Sequence, residues 1–200
     1  MDLSDPELRV LGCLLEKQRT TPDQYPLSLN ALRLACNQST NRDPVVDYDE
    51  STIREALHRL ERRRMVRFAS GNRTAKYRHL LAEALPLDDG EQALMTVLML
   101  RGAQTPGELK QRVERMHSFA DLAAVHEALT SLIRRELVVR LERRPGQKEE
   151  RYEQLLGEDE SDDDRAADDE ADAPLALRSP LDELRERVER LEREVAELRR

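Results

Sequence analysis

The sequence predicts a mostly α-helical α+β fold with small β-hairpins, built as two tandem winged helix-turn-helix modules plus a C-terminal coiled-coil helix. Three observations predict it. The order helix, helix, helix, hairpin occurs twice, matching apolar positions recur about 75 residues apart, and a heptad pattern ends the chain. The predicted regions are the first module at 1–84, the second module at 85–156, a disordered acidic linker at 157–178 and the coiled-coil helix at 179–200.

The first module is predicted from capping residues, apolar spacing and a turn. Ser4, Ser28 and Asp49 are the expected N-caps of three helices, and Glu7 completes a capping box with Ser4. Apolar residues recur three and four positions apart after each cap, as one buried helix face requires. Alternating residues on both sides of a turn at 70–73 then predict a hairpin.

The second module repeats this order. A helix is expected over 91–101, Thr105 and Glu108 form another capping box, and Ser118 or Asp121 caps the third helix. Three sets of residues align the two modules: Thr21-Pro22 with Thr105-Pro106; Ile53, Leu57 and Leu60 with Val125, Leu129 and Leu132; and Tyr77 with Tyr152.

The end of the chain is interpreted from its charges and its heptads. Residues 158–172 hold ten acids and one Arg, so like-charge repulsion and the shortage of apolar side chains predict disorder. The heptads after them predict a parallel coiled coil and therefore a homodimer, with a helix that folds back on the body as the alternative. The predicted dimer seam consists of Leu181, Leu184, Val188, Leu191, Val195 and Leu198.

Charge is unevenly distributed along the 200 residues. The formal net charge is −8, but residues 1–157 hold 24 acids and 25 bases, whereas residues 158–200 hold 17 acids and 8 bases. A nearly neutral body argues only weakly for a nucleic-acid partner, because phosphate binding normally requires a basic patch. Local patches must therefore decide the question.

The sequence also indicates a compartment. Cys13 and Cys36 fall in apolar helical patterns, and we interpret them as small buried hydrophobes in a reducing environment. A signal peptide and an apolar run long enough to span a bilayer are both missing from the pattern. We therefore expect a cytoplasmic protein without membrane contact.

Four contiguous strings resemble the YceH-like family of bacterial proteins. The resemblance runs from Leu3 to Leu156 and implies a tandem winged-helix fold in a family whose biochemical role is not established. We expect the acidic linker and the heptads to lie outside the part that is similar to the family. The strings are Gly12-Cys13-Leu14-Leu15-Glu16-Lys17-Gln18, Thr21-Pro22-Asp23-Gln24-Tyr25-Pro26-Leu27-Ser28, Ala35-Cys36-Asn37-Gln38-Ser39-Thr40-Asn41-Arg42 and Arg101-Gly102-Ala103-Gln104-Thr105-Pro106-Gly107-Glu108-Leu109.

The sequence lacks the residue patterns of the common catalytic sites. The four histidines, His58, His79, His117 and His126, do not lie near both a cysteine and a carboxylate at metal-ligand spacing. The sequence has neither a Gly-rich phosphate loop nor a nucleophile elbow. We therefore expect no enzyme activity, no metal and no cofactor.

Cations on the third helices and hairpins are the candidate contacts for double-stranded DNA. In a winged helix the third helix enters the major groove and the hairpin touches phosphate, and Arg suits both guanine and phosphate. The alternative is a solvated charged face, as an i,i+4 pair such as Glu55 and Arg59 indicates. The candidates are Arg54, His58, Arg59, Arg62, Arg63, Arg73 and Lys76 in the first module, and Arg134, Arg135, Arg143, Arg144 and Lys148 in the second.

The loop at 37–42 is a second candidate site because amide and hydroxyl groups are concentrated there. Its candidate residues for binding a protein partner or an anion are Asn37, Gln38, Asn41 and Arg42. The favoured alternative is structural, since Asn and Ser stop helices and hydrogen bond to nearby backbone.

Two functions follow from the sequence. The first is a homodimeric DNA-binding protein that acts as a transcriptional regulator. The second is a non-enzymatic scaffold that uses winged-helix surfaces to bind other proteins.

Overall fold

The computed structural model describes residues 2–69, 75–143 and 149–157 of the chain. Within these ranges it contains six helices of eight residues or more and two small antiparallel sheets, which confirms the predicted α+β class. Apart from Gly157, the predicted acidic linker and the coiled-coil helix lie outside the described residues. The same ranges contain no helix that combines the length and the apolar character needed to cross a membrane.

The order of helices and strands is the same in two parts of the chain, which we call the first repeat (5–79) and the second repeat (89–154). The first repeat contains α1 (Asp5–Thr20), a short 3-10 turn (Pro22–Gln24), β1 (Leu27–Ser28), α2 (Leu29–Cys36), α3 (Glu50–Arg62), β2 (Val66–Ala69) and β3 (Lys76–His79). The short helix α4 (Leu81–Ala84) follows it, and the second repeat contains α5 (Asp89–Arg101), α6 (Pro106–Val113), α7 (Leu122–Arg134), β4 (Val138–Leu141) and β5 (Arg151–Gln154).

The N-caps lie where the capping patterns predicted them. Ser28, Asp49 and Thr105 each accept a hydrogen bond from the first turn of their helix, and Asp121 rather than Ser118 caps α7. The Ser118 hydroxyl donates to Glu114 instead. These caps are local in sequence, which is why a local pattern identifies them.

Each hairpin follows the third helix of its repeat through the same turn. Arg64 and Glu136, 72 residues apart, both adopt a left-handed backbone, with φ of 58° and 56°. The next residue in each repeat then donates its N–H back to the third helix, Met65 to Leu60 and Leu137 to Leu132. The turn therefore sets the same exit direction for both hairpins.

The sheets correct one part of the sequence alignment. Leu27 pairs with Tyr77 in the first sheet, which has the strand order β1-β3-β2, and Gln104 forms the corresponding bridge to Tyr152. Ser28 is therefore the counterpart of Thr105, and the predicted match of Thr21-Pro22 to Thr105-Pro106 is wrong. Thr21-Pro22 leads into the 3-10 turn, so a shared Thr-Pro pair misled the alignment.

One hydrophobic core runs through both repeats, with α1 and α5 packed against each other at its centre. Every residue of α5 from Gly90 to Leu100 is buried, so this helix is apolar nearly all round rather than amphipathic. Gly12 of α1 lies opposite Leu100, and a Cβ at Gly12 would stand 2.9 Å from the Leu100 side chain. Gly12 thus permits the close approach of the two helices.

Enlarging Gly12 should destabilise the protein. Gly12→Val inserts a branched side chain against Leu100, which is itself buried, so we expect a loss of about 2 kcal/mol or more in the free energy of unfolding despite the better helix propensity. Urea denaturation measures the change. Gly107→Ala is the matched control, because its Cβ would meet nothing nearer than 3.9 Å, and it should stabilise by about 0.5 kcal/mol. Equal effects of the two substitutions would contradict this account of Gly12.

Candidate nucleic-acid interface

Helix α3 separates its apolar and cationic residues onto two faces. Ile53, Leu57 and Leu60 are buried against the core, as their spacing predicted. The opposite face is exposed and carries five of the predicted contacts. These are Arg54, His58, Arg59, Arg62 and Arg63.

Carboxylates neutralise part of this face. Arg54 pairs with Glu50 and Arg59 pairs with Glu55, each one helical turn earlier. Exposed i,i+4 pairs stabilise a helix by only about 0.3–0.5 kcal/mol, so a phosphate can replace the carboxylate at little cost. These two arginines are therefore available to an anion even though the free protein pairs them.

The hairpin of the first repeat presents an unbalanced cationic face. Arg67 on β2 lies directly opposite Arg78 on β3. Side chains alternate along a strand, so Lys76 shares the face of these two arginines, while Phe68 and Tyr77 pack edge to face on the other side. Like charges directly opposite each other destabilise a sheet, so this arrangement costs the free protein stability.

Several cations at the end of α3 and on the hairpin of the first repeat have no carboxylate partner among the described residues. Within the described ranges, Arg62, Arg64, Arg67, Lys76 and Arg78 make no ion pair. A groove at the end of α3 is lined by three arginines together with Glu61, Val66, Leu80 and Ala84. The three arginines are Arg63, Arg64 and Arg67. The end of α3 and the start of the hairpin therefore contribute cations to one surface.

The second repeat places its candidates differently. Arg134 is exposed on α7, but Arg135 pairs with the buried Glu91 at 3.1 Å. On the hairpin, Arg140 and Arg143 both contact Glu150, at 3.4 and 3.5 Å. Arg73, Arg144 and Lys148 lie outside the described residues. The structure thus leaves the hairpin cations unpaired in the first repeat and pairs two hairpin arginines with Glu150 in the second, although Lys110, Arg115 and Arg134 of the second repeat also make no ion pair among the described residues.

A buried glutamate behind each third helix was missed by the sequence reasoning. Glu7 caps α1 and lies 3.7 Å from the guanidinium of Arg63, the C-cap of α3. Glu91 belongs to the capping box of α5 and accepts a hydrogen bond at 3.1 Å from Arg135, the C-cap of α7, whereas the Glu7 Oε1 that faces Arg63 has no hydrogen-bond partner among the described residues. The capping boxes were visible in the sequence, but their second role depends on a helix far along the chain. Each glutamate fixes the end of the third helix beside the start of the first.

The loop at 37–42 folds on itself through the side chains that were candidates for a partner. Arg42 is buried and donates to Glu16, Gln38 and the backbone carbonyls of Ala35 and Asn41. These contacts use all five of its N–H donors. Arg42 therefore holds the loop in place instead of facing outward.

The other three candidates of this loop also bond within the chain. Asn37 exchanges hydrogen bonds with the backbone of Tyr48, and Asn41 accepts from Arg101. The Gln38 oxygen accepts from Lys17 as well as from Arg42. The polar side chains of the loop thus hydrogen bond to α1, α2 and the end of α5.

His79 connects the hairpin of the first repeat to α1. Its Nδ1 accepts from the Leu81 N–H, so Nε2 carries the proton that it shares with Gln18 Oε1 at 2.5 Å. Burial, together with the charges of Arg19 and Arg78, lowers the pKa of His79 to about 4. The hairpin is therefore held by the neutral form of the imidazole.

Stability should depend on pH through His79. An unfolded histidine has a pKa of 6.5, so between pH 6.5 and about 4 the unfolded chain binds a proton that the folded chain does not. The stabilisation is therefore complete above pH 6.5 and is lost as the pH falls towards 4. In urea denaturation, the wild type should lose up to about 1.4 kcal/mol per pH unit more than His79→Gln across this window. Parallel curves for the wild type and His79→Gln would contradict the assignment.

Among residues 2–69, 75–143 and 149–157, no group of three or more His, Cys, Asp or Glu side chains could hold a metal ion.

Comparison with known proteins identifies the family. The family described as "Protein of unknown function, DUF480" matches residues 3–147. The chain is 50% identical to a UPF0502 protein of Pelobacter propionicus, covering 100% of this chain and 94% of that protein, and 46% identical to the UPF0502 protein YceH of Salmonella agona, covering 99% and 93%. The family model ends at residue 147, before the linker and the heptads, as expected, whereas the alignments with these two relatives also include the C-terminal region. The YceH-like resemblance is confirmed: the chain belongs to the DUF480 (UPF0502) family.

Proposed function

We propose that this protein binds double-stranded DNA through its first repeat, acting as a winged-helix module. The observation that carries the proposal is the hairpin face of Arg67, Lys76 and Arg78, which has no carboxylate partner in the described part of the chain. A fold keeps two opposed arginines at a cost in stability, and a polyanion bound across them removes that cost. Phosphates spaced along a DNA strand are such a polyanion.

In this proposal helix α3 and the hairpin of the first repeat make different contacts with DNA. Helix α3 enters the major groove with its exposed face, where Arg54, His58 and Arg59 reach base edges or phosphates. The hairpin lies along the backbone and contributes sequence-independent contacts. The ion pair of Arg59 with Glu55 opens on binding, because both side chains are exposed.

The second repeat has a different part in this proposal. Its hairpin arginines are held by Glu150, and α7 exposes two large apolar residues, Leu122 at 47% and Ile133 at 36%. An apolar, weakly charged face suits a protein contact more than a phosphate contact. This observation supports the second candidate function, a scaffold that binds another protein.

DNA binding can be tested by fluorescence anisotropy with a labelled random-sequence duplex over a salt series. We expect the wild type to bind at about 50 mM salt and to lose affinity steeply by about 200 mM. Arg67→Ala with Arg78→Ala should weaken binding at least about tenfold and reduce the salt slope by about 2.

The matched control for this test is the opposite hairpin. Arg140→Ala with Arg143→Ala removes the same number of arginines from positions paired with Glu150, so affinity should stay within about twofold. Absence of binding at low salt, or equal losses from the two double variants, would overturn the DNA proposal and leave the scaffold.

A homodimeric regulator is the fuller form of the proposal. A parallel coiled coil through the seam from Leu181 to Leu198 pairs two chains and so two α3 helices, as two half-sites in DNA require. Such a regulator works in the cytoplasm. Sedimentation of the full chain should give twice the chain mass, and a chain ending at Pro174 should give one chain mass. The same number of chains per particle for both proteins would show that the seam does not form the dimer.

A further inference from the structure

The two cysteines of the chain meet in the core of the first repeat. Cys13 lies in the middle of α1, Cys36 is the last residue of α2, and both are fully buried. Helices α1 and α2 pack against each other, and both cysteines lie in the same buried cluster of the core. Both cysteines are free thiols.

The surroundings of this pair carry an excess of buried positive charge. Arg9 is 4% exposed and donates only to backbone carbonyls, those of Cys36 at 3.4 Å and Pro44 at 2.6 Å. Arg42 pairs with Glu16 at 2.6 Å, and no carboxylate of the described residues forms an ion pair with Arg9. Of these two buried guanidinium groups, therefore, only that of Arg42 is paired with a carboxylate.

This charge balance favours a thiolate at Cys13. Burial alone would raise the pKa of Cys13, but the thiol of Cys36 and the charges of Arg42 and Arg9 together lower it. The interaction with Cys13, followed by burial, raises the pKa of Cys36. One thiolate and one thiol side by side form the arrangement that thiol oxidation uses, because the thiolate is the nucleophile.

We propose that Cys13 and Cys36 form a reversible redox pair that hydrogen peroxide converts to a disulfide. The Cys13 thiolate attacks one peroxide oxygen, the O–O bond breaks and hydroxide leaves, giving a sulfenic acid at Cys13. The sulfur of Cys36 then attacks the Cys13 sulfur, the S–O bond breaks and water leaves with the Cys36 proton. In sum, two thiols and one peroxide give one disulfide and two waters.

Access and consequence both depend on α2. Both thiols are fully buried, so the proposal requires local opening of this eight-residue helix to admit a molecule little larger than water. A disulfide needs a sulfur–sulfur distance of about 2.05 Å, so oxidation draws the end of α2 towards α1. Because α2 also packs on α3, the pair connects oxidation to the position of the helix that carries the exposed arginines.

The full-length protein, kept folded, tests the pair. After treatment with hydrogen peroxide, alkylation under denaturing conditions should find about two fewer thiols per chain, dithiothreitol should restore them, and peptide mapping should find Cys13 joined to Cys36. Cys36→Ser should accumulate a sulfenic acid at Cys13 that dimedone traps, whereas Cys13→Ser should give little adduct.

The charge argument has its own matched variants. Arg9→Met removes the buried guanidinium without a carboxylate partner and should slow oxidation at least about fivefold, while Arg33→Met on α2, which hydrogen bonds to the neighbouring Asn30, should leave the rate unchanged. Circular dichroism confirms that each variant is folded. Two unreacted thiols in the folded wild type, disulfides between chains, or equal rates for the wild type and Arg9→Met would each overturn the proposal.

Discussion

The close packing of α1 on α5 is the constraint on which the rest of the described structure depends. Gly12 removes the side chain that would hold these helices apart, and Leu100 fills the space directly. Helix α1 also contacts α2, α3 and β3, so one helix fixes the position of almost every element of the first repeat. Buried α5 does the same for the second. The two repeats consequently share a core, and neither buries its first helix without the other.

The arginines of the protein fall into groups according to the carboxylates that they meet. Buried glutamates hold Arg63 and Arg135 at helix ends, where removal of the charge would leave an acid unpaired. Exposed glutamates hold others loosely, as Glu55 holds Arg59. Those of the first hairpin have no such partner in the described ranges. A chain with a nearly neutral body can therefore still present one basic surface.

The sequence predicts the local features of this protein well. The capping residues Ser28, Asp49 and Thr105 stand at their helices because a cap bonds within three residues. The α+β class and the buried face of α3 follow from periodicity for the same reason.

The rest depends on contacts between residues far apart in the chain. Arg42 appeared in a polar loop and is buried against Glu16, and Arg63 on the candidate face has a buried glutamate behind it. The predicted pairing of Thr21-Pro22 with Thr105-Pro106 failed because similar residues occupied different places relative to the sheet. Local patterns identify which residues are charged and exposed, but not which acid each one meets.

Because Arg67 and Arg78 of the first hairpin lie opposite each other, dissolved salt has two opposite effects on it. Dissolved anions screen Arg67 from Arg78, so a higher salt concentration weakens their repulsion and stabilises the folded hairpin. The same shielding weakens attraction between that hairpin and any large polyanion. The free hairpin is therefore most stable at high ionic strength, whereas its complex with a polyanion is most stable at low ionic strength. Repulsion between the two arginines is strongest under the same dilute conditions in which the attraction to a polyanion is strongest.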